Sequence, residues 1–276
     1  MKQTGYYRFP TIANENIIFI CEDDLWSVTT KGGIPVRLTS NLGEITRPQL
    51  SPDGKWVAFT GREEGNPEVY LMPADGGQEK VLTFLGSGTS VVGWTSDSKN
   101  ILFTSNYGQP FARISKIYQV SIEGGSPELL PVGHAHNISY GAKGGTVLGI
   151  HTTDPARWKR YRGGTAGVIW IDTKGKGEFK KLIDLKGNLG SPMWVGDKIY
   201  FISDHEGIGN IYSCTPEGKD LKKVTESKEY FVRNASTDGK KIVYHAGGEI
   251  FVIDPKTSKT SKVDIDFHSP KVQLNR

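Results

Sequence analysis

The sequence has little cysteine, little charge imbalance, no long apolar run and no helical periodicity, and each shortage removes a class of protein. Its two cysteines, Cys21 and Cys214, stand in unrelated contexts, so neither a disulfide framework nor a thiolate zinc site is indicated. A formal net charge of +4 over 276 residues is too mild for a dedicated nucleic-acid binder. No stretch approaches the ~20 apolar residues of a membrane span. The opening MKQTGYYRFP lacks the apolar core of a secretion signal. These two absences point to a cytoplasmic chain with no membrane partner. No segment sustains a 3.6-residue apolar period with caps, so helix should be nearly absent. No G-x-S-x-G pentapeptide occurs, which removes the nucleophile elbow of the α/β-hydrolases. We expect no cofactor.

What the chain does have is glycine, 34 residues of it, placed in a repeating grammar. Residues 49–84 read as a short strand, an S-P-D-G turn, the apolar strand KWVAFT, a loop, the strand EVYLMPA, a D-G-G turn and a last strand EKVLTF. Asp-Gly and Gly-Gly supply the positive φ angles that two-residue hairpin turns need. The same order returns five more times. The second strands, NIIFIC, KWVAFT, NILFTS, TVLGIH, KIYFIS and KIVYHA, are almost uniformly apolar, as strands packed on both faces must be. The third strands place Trp26, Tyr70, Tyr118, Trp170, Tyr212 and Phe251 at matching positions. A base-stacking platform would also use aromatics, but one per unit at the same place is what a core between neighbouring units requires. Six units averaging about 46 residues match the four-stranded blade of a propeller. The expectation is an all-β, six-bladed β-propeller filling residues 1–276 as one domain. Its blades fall near 9–40, 45–84, 90–131, 138–184, 189–227 and 230–266. Because the first and sixth units each hold four strand candidates, the ring should close by side-chain packing, without a shared terminal blade.

The S-P-D-G-K-x-x-A-F-T unit resembles the repeats of the TolB, prolyl oligopeptidase and tricorn propellers. Two stretches are more specific. YYRFPTI…IIFICEDDLWSV and DPARWKRYRGGTAGVIWID resemble the opening and the fourth-blade insert of the tricorn protease family's N-terminal propeller, and the likeness covers essentially the whole chain. It implies a cytoplasmic serine peptidase that assembles into hexamers. Each subunit would carry a six- and a seven-bladed propeller, a PDZ-like domain and two catalytic subdomains. The propellers of such enzymes are thought to filter and channel oligopeptides. The family's catalytic Ser and His lie in the C-terminal subdomains, so no position here receives them. The implied role is a non-catalytic peptide channel, filter or docking platform, with oligopeptides, other domains or subunits of the assembly and downstream aminopeptidases as partners. The competing reading is a stand-alone TolB-like interaction scaffold.

Candidate binding residues fall in two groups. Arg8, Arg47 and Arg233 each precede the innermost strand of their unit and are placed to ring one mouth of the axis, where they would attract peptide carboxylates; pairing to acidic loops is the alternative. Arg157, Trp158, Lys159, Arg160, Tyr161 and Arg162 lie between the second and third strands of blade four, in a loop expected to project from one rim. Arginine forks suit carboxylates, the aromatics offer cation–π contact, and Gly163-Gly164 allow a tight return. A solvated loop without a partner remains open. Three further clusters are expected to be bland. GHAHN (His134, His136) lacks a third metal ligand at readable spacing and reads as a polar loop. DHEG (Asp204, His205, Glu206) reads as an exposed turn, and EDDLW (Glu22 to Trp26) as structural or solvated.

Overall fold

The computed structural model describes residues 4–141 and 144–271. Blade one is built from Arg8–Ala13, Asn16–Cys21, Asp24–Thr29 and Gly32–Arg37. Blade two uses Ile45–Leu50, Trp56–Gly61, Glu68–Pro73 and Lys80–Val81; blade three uses Thr89–Trp94, Asn100–Ser105, Lys116–Ser121 and Glu128–His134. Blade four uses Asn137–Tyr140, Thr146–Ile150, Val168–Asp172 and Lys180–Lys181. Blade five uses Leu189–Val195, Lys198–Ser203, Asn210–Cys214 and Lys222–Lys223, and blade six Arg233–Thr237, Ile242–Ala246, Glu249–Asp254 and Lys259–Lys262. Every sheet pairs its four strands in sequence order and antiparallel, which makes the architecture a six-bladed propeller. Among the described residues one helical turn occurs, the 3₁₀ segment Pro155–Trp158.

The two-faced apolarity of the second strands has a direct use. Their residues alternate between the cores on either side. Ile17 and Phe19 pack toward blade six while Ile18 and Ile20 pack toward blade two. Ile199 and Phe201 face blade four while Tyr200 and Ile202 face blade six. One hydrophobic cluster therefore fills each gap between blades. Register repeats as well: Phe19 lies opposite Trp26, Phe59 opposite Tyr70, Phe103 opposite Tyr118, Leu148 opposite Trp170, Phe201 opposite Tyr212 and Tyr244 opposite Phe251. Four of these aromatic pairs stack with centroids 5.2–6.4 Å apart. Trp170 and Phe251 are only half-buried but pack against the same cores.

A hydroxyl brace recurs in blades one, two and five. Thr39, Thr83 and Thr225 donate to Asp24, Glu68 and Asn210 at 3.0, 2.6 and 2.8 Å. The same hydroxyl oxygens accept the backbone N–H groups of Leu25, Val69 and Ile211, each at 2.9 Å. Thus the Leu-Thr or Val-Thr that ends each of these units ties its outer strand back to the start of the third.

Blades one and six share no strand. They are held by a core containing Tyr7, Phe19, Trp26, Val243, Val252 and Phe267, and by a clasp from the chain end. Gly33 N–H donates to Asp264 C=O at 2.9 Å, and Asp266 N–H donates to Gly33 C=O at 2.9 Å, a short parallel bridge onto the outer strand of blade one. Gly32 permits the approach: at φ 81 it sits where a Cβ would meet the Asp264 carbonyl oxygen at 2.2 Å. At the other terminus Tyr7 N–H donates to Gly248 C=O at 2.9 Å. Closure thus adds main-chain bonds to the side-chain packing.

Candidate functional site

Identical connectivity in all six blades gathers the starts of the inner strands, and the loops between second and third strands, at one mouth. Below that mouth the inner strands enclose an axial cavity of about 300 Å³, lined by residues of all six, among them Phe9, Arg47, Val92, Tyr140, Trp194 and Asn234. Four inner strands bulge near the mouth, opposite Phe19, Phe59, Phe201 and Tyr244. The bulging residues Phe9, Arg47, Ser191 and Asn234 take φ angles of 45–54°, sparsely populated for side chains of this size and costing on the order of 1–3 kcal/mol each. Proline follows three of them, at Pro10, Pro48 and Pro192, where a bulge removes the need for a ladder N–H.

The three sequence-predicted arginines all stand at this mouth, in different states. Arg8 pairs with Asp23 at 2.8 Å across its own blade. Arg233 pairs with Asp154 of the blade-four loop, and that hydrogen bond raises its pKa against the effect of burial. Arg47 has no carboxylate partner among the described residues; its guanidinium carbon lies 5.2 Å from the Phe9 ring centroid. The cavity wets Arg47, yet the inner strands surround it. Desolvation pushes its pKa below the usual guanidinium range, Arg233 adds to that effect and Asp154 opposes it. Behind the mouth, burial, reinforced by the Arg233 charge, pushes His245 down to about 4. Its Nε2 meets Asn234 Oδ1 at 2.9 Å.

The basic stretch lies where expected in the chain but does not project freely. Asp154 caps the 3₁₀ turn by accepting Ala156 N–H at 3.1 Å and reaches Arg233 of blade six. Arg160 N–H donates to Asp204 of blade five, and Lys159 Nζ sits 5.2 Å from the Phe231 centroid. The loop therefore lies down across blades five and six. Trp158, 60% exposed, leans on Tyr161 with centroids 5.2 Å apart, and Arg157 and Arg162 are exposed. Neither ring of this pair enters the core.

Two expectations need correction. Asp204 is not an exposed turn residue: at 1% exposure it accepts from Asn188 N–H at 2.6 Å and from Arg160 N–H, fastening the loop to the blade-four to blade-five connection. Nor is GHAHN a bare polar loop. His151, the residue after the second strand of blade four, joins His134 and His136 in a compact trio. Antiparallel pairing of Asn137–Tyr140 with Thr146–Ile150 brings His151 back beside His136, a signal the spacing of the two earlier histidines concealed.

The class is therefore a six-bladed β-propeller whose cavity mouth carries Arg8, Arg47 and Arg233 beside one basic loop. The profile of the Tricorn protease N-terminal beta propeller domain matches residues 4–259. The chain belongs to that family. It is 39% identical over 270 residues to the Tricorn protease homolog of Saccharolobus solfataricus, covering 95% of this chain and 25% of that protein. It also aligns at 36% identity over 174 residues with the Putative Tricorn-like protease N-terminal subunit of Sulfurisphaera tokodaii, covering 60% of this chain and 86% of that one. The Putative Tricorn-like protease C-terminal subunit of the same organism aligns at 48% identity over 89 residues, covering 32% of this chain and 10% of that one. The crystal structure of the tricorn protease superposes with a TM-score of 0.88 and 35% identity over 97% of this chain and 27% of that one. TolB from Acinetobacter baumannii shares the fold, with a TM-score of 0.64 at 19% identity, over 87% of this chain and 59% of that one. The chain thus spans about a quarter of the length of the full-size tricorn relatives. No helix among the described residues is long and apolar enough to cross a membrane.

Proposed function

We propose that this chain is the non-catalytic propeller module of a tricorn-type cytoplasmic serine peptidase, admitting or filtering oligopeptides along its axis and docking companion domains or subunits at the same face. The observation that carries the reading is Arg47: a desolvated guanidinium without a carboxylate partner among the described residues, lining the axial cavity near two further arginines. A guanidinium in such surroundings gains most from a carboxylate that arrives from solution, and a peptide presents one at its C-terminus. Arg157, Trp158, Lys159, Arg160, Tyr161 and Arg162 form the adjoining docking surface, anchored from below through Asp154 and Asp204 so that their tips remain available. The separate N- and C-terminal subunits among the relatives support partnership with other polypeptides, and downstream aminopeptidases are further candidates for this face.

Binding of a labelled oligopeptide with a free C-terminus, compared with its amidated form, tests the axial reading. The free acid should bind tighter, and Arg47→Met should remove about tenfold of that preference, the loss of one charge-assisted bond; equal affinity for acid and amide would defeat it. Fluorogenic peptides should not be turned over by the chain alone, and robust hydrolysis would overturn the non-catalytic assignment. Replacing Arg157, Arg160 and Arg162 with Ala should weaken partner binding while melting stays unchanged.

A further inference from the structure

We propose that His134, His136 and His151 form a binding site for one divalent transition-metal ion of the zinc class, with a fourth position open to water or an incoming ligand. The three residues come from separate places: the end of the outer strand of blade three, the connection into blade four, and the end of blade four's second strand. One ring nitrogen from each lies within 4.8 Å of the others, and the ring centroids are 4.8, 5.5 and 5.3 Å apart. A tetrahedral zinc with bonds of about 2.0–2.1 Å sets its nitrogens about 3.3 Å apart. Binding therefore calls for rotation of these half-buried rings to close the remaining distance.

The surroundings support metal over chance packing. His134 Nδ1 lies 2.7 Å from the Ser115 carbonyl oxygen and 3.2 Å from Ser115 N; in the tautomer protonated at Nδ1 it donates to that carbonyl, the outer contact that orients a ligating imidazole and leaves Nε2 for the ion. His151 sits at φ 57, a left-handed conformation that turns its ring toward the other two. His136 Nδ1 accepts the His151 backbone N–H at 3.0 Å, so ligation through Nε2 requires the other tautomer and gives up that bond. The donor set contains neither thiolate nor carboxylate. Imidazole alone selects zinc, copper, nickel or cobalt over magnesium and calcium.

The test uses the untagged chain, dialysed against chelator and titrated with Zn²⁺ by calorimetry and with Co²⁺ by visible absorption. One ion should bind per chain, Co²⁺ should show the intense bands of four-coordination, and Mg²⁺ should give no signal. His134→Gln and His151→Gln should each weaken Zn²⁺ binding about a hundredfold or more, at least the upper range for loss of an outer-shell contact. His268→Gln, at an exposed histidine outside the trio, should leave it intact. Should a trio variant fail to fold, diethyl pyrocarbonate labelling of the unmutated chain gives an independent reading, with Zn²⁺ protecting the three trio rings and not His268. Absence of stoichiometric binding, unchanged affinity in His151→Gln, or labelling indifferent to Zn²⁺ would each overturn the assignment.

Discussion

Phe267 is the residue on which ring closure should prove most sensitive. It is 1% exposed and wedged between Tyr7 and Trp26, with centroids 5.8 and 4.9 Å away. Replacement by Ala deletes a fully buried ring whose walls belong to both the first and last blades, at a cost of about 3–5 kcal/mol. Unfolding entropy of about 2.1 cal/mol/K per residue over the chain turns this into a fall in melting temperature of roughly 5–9 °C. Phe84, 79% exposed, is the matched control, and Phe84→Ala should move stability by about 0.5 kcal/mol at most. Gly32→Ala attacks the same clasp from its other side, through the collision with the Asp264 carbonyl. Since either change releases the chain end, the double variant should lose clearly less than the sum of the singles. Calorimetry of the four proteins and limited proteolysis of the C-terminal segment decide the matter. A Phe267→Ala protein melting within about 1 °C of the original, its tail still protected, would show that closure does not run through this ring.

Other outcomes follow from the same contacts. Asp154→Ala removes both the cap of the 3₁₀ turn and the tie to Arg233; with about 1–2 kcal/mol of anchoring lost, trypsin should nick the 157–162 loop about 5–30 times faster. His245 holds a folded-state pKa of about 4 against an ordinary 6.5, so the unfolded chain takes up the proton first as pH falls. The stability His245 contributes is therefore full above pH 6.5 and is lost progressively toward pH 4, by about 3 kcal/mol. His245→Gln, which can still donate to Asn234, should flatten the melting curve across that window, and an unchanged slope would contradict the assignment. Burial pushes the Cys21 and Cys214 thiols up to about 11, so both should resist a thiol reagent at neutral pH and react together on unfolding; rapid labelling of the native chain would refute their burial.

The blades were legible because local chemistry and global architecture agree in them. The Asp-Gly turn at Asp53-Gly54 and the two-faced apolar KWVAFT both follow from short-range rules, and the six equivalent third-strand aromatics follow from repetition. The site was less legible because it arises from departures from those rules. Nothing in the residue types announces that Phe9, Arg47, Ser191 and Asn234 adopt left-handed backbone inside a strand. Asp204 belongs to a chemical class that normally faces water, and its burial is satisfied by two backbone N–H groups, those of Asn188 and of Arg160 in the blade-four loop. The basic residues 157–162 were found by composition, but their resting place across blades five and six depends on Asp154 and Asp204, 50 residues apart in the chain. His151 joins the other two histidines only through the pairing of Asn137 with Gly149, which linear spacing does not display.

That each sheet is drawn from one uninterrupted stretch of polypeptide has a consequence for how the molecule tolerates division. A cut in any connection between blades severs no strand pairing and leaves two pieces whose exposed flanks are complementary apolar walls. Such fragments carry the instructions for their own reunion. Evolution or an engineer is thereby free to shift the termini around the circle, or to encode the two arcs in separate genes, while the axis they enclose is rebuilt on assembly.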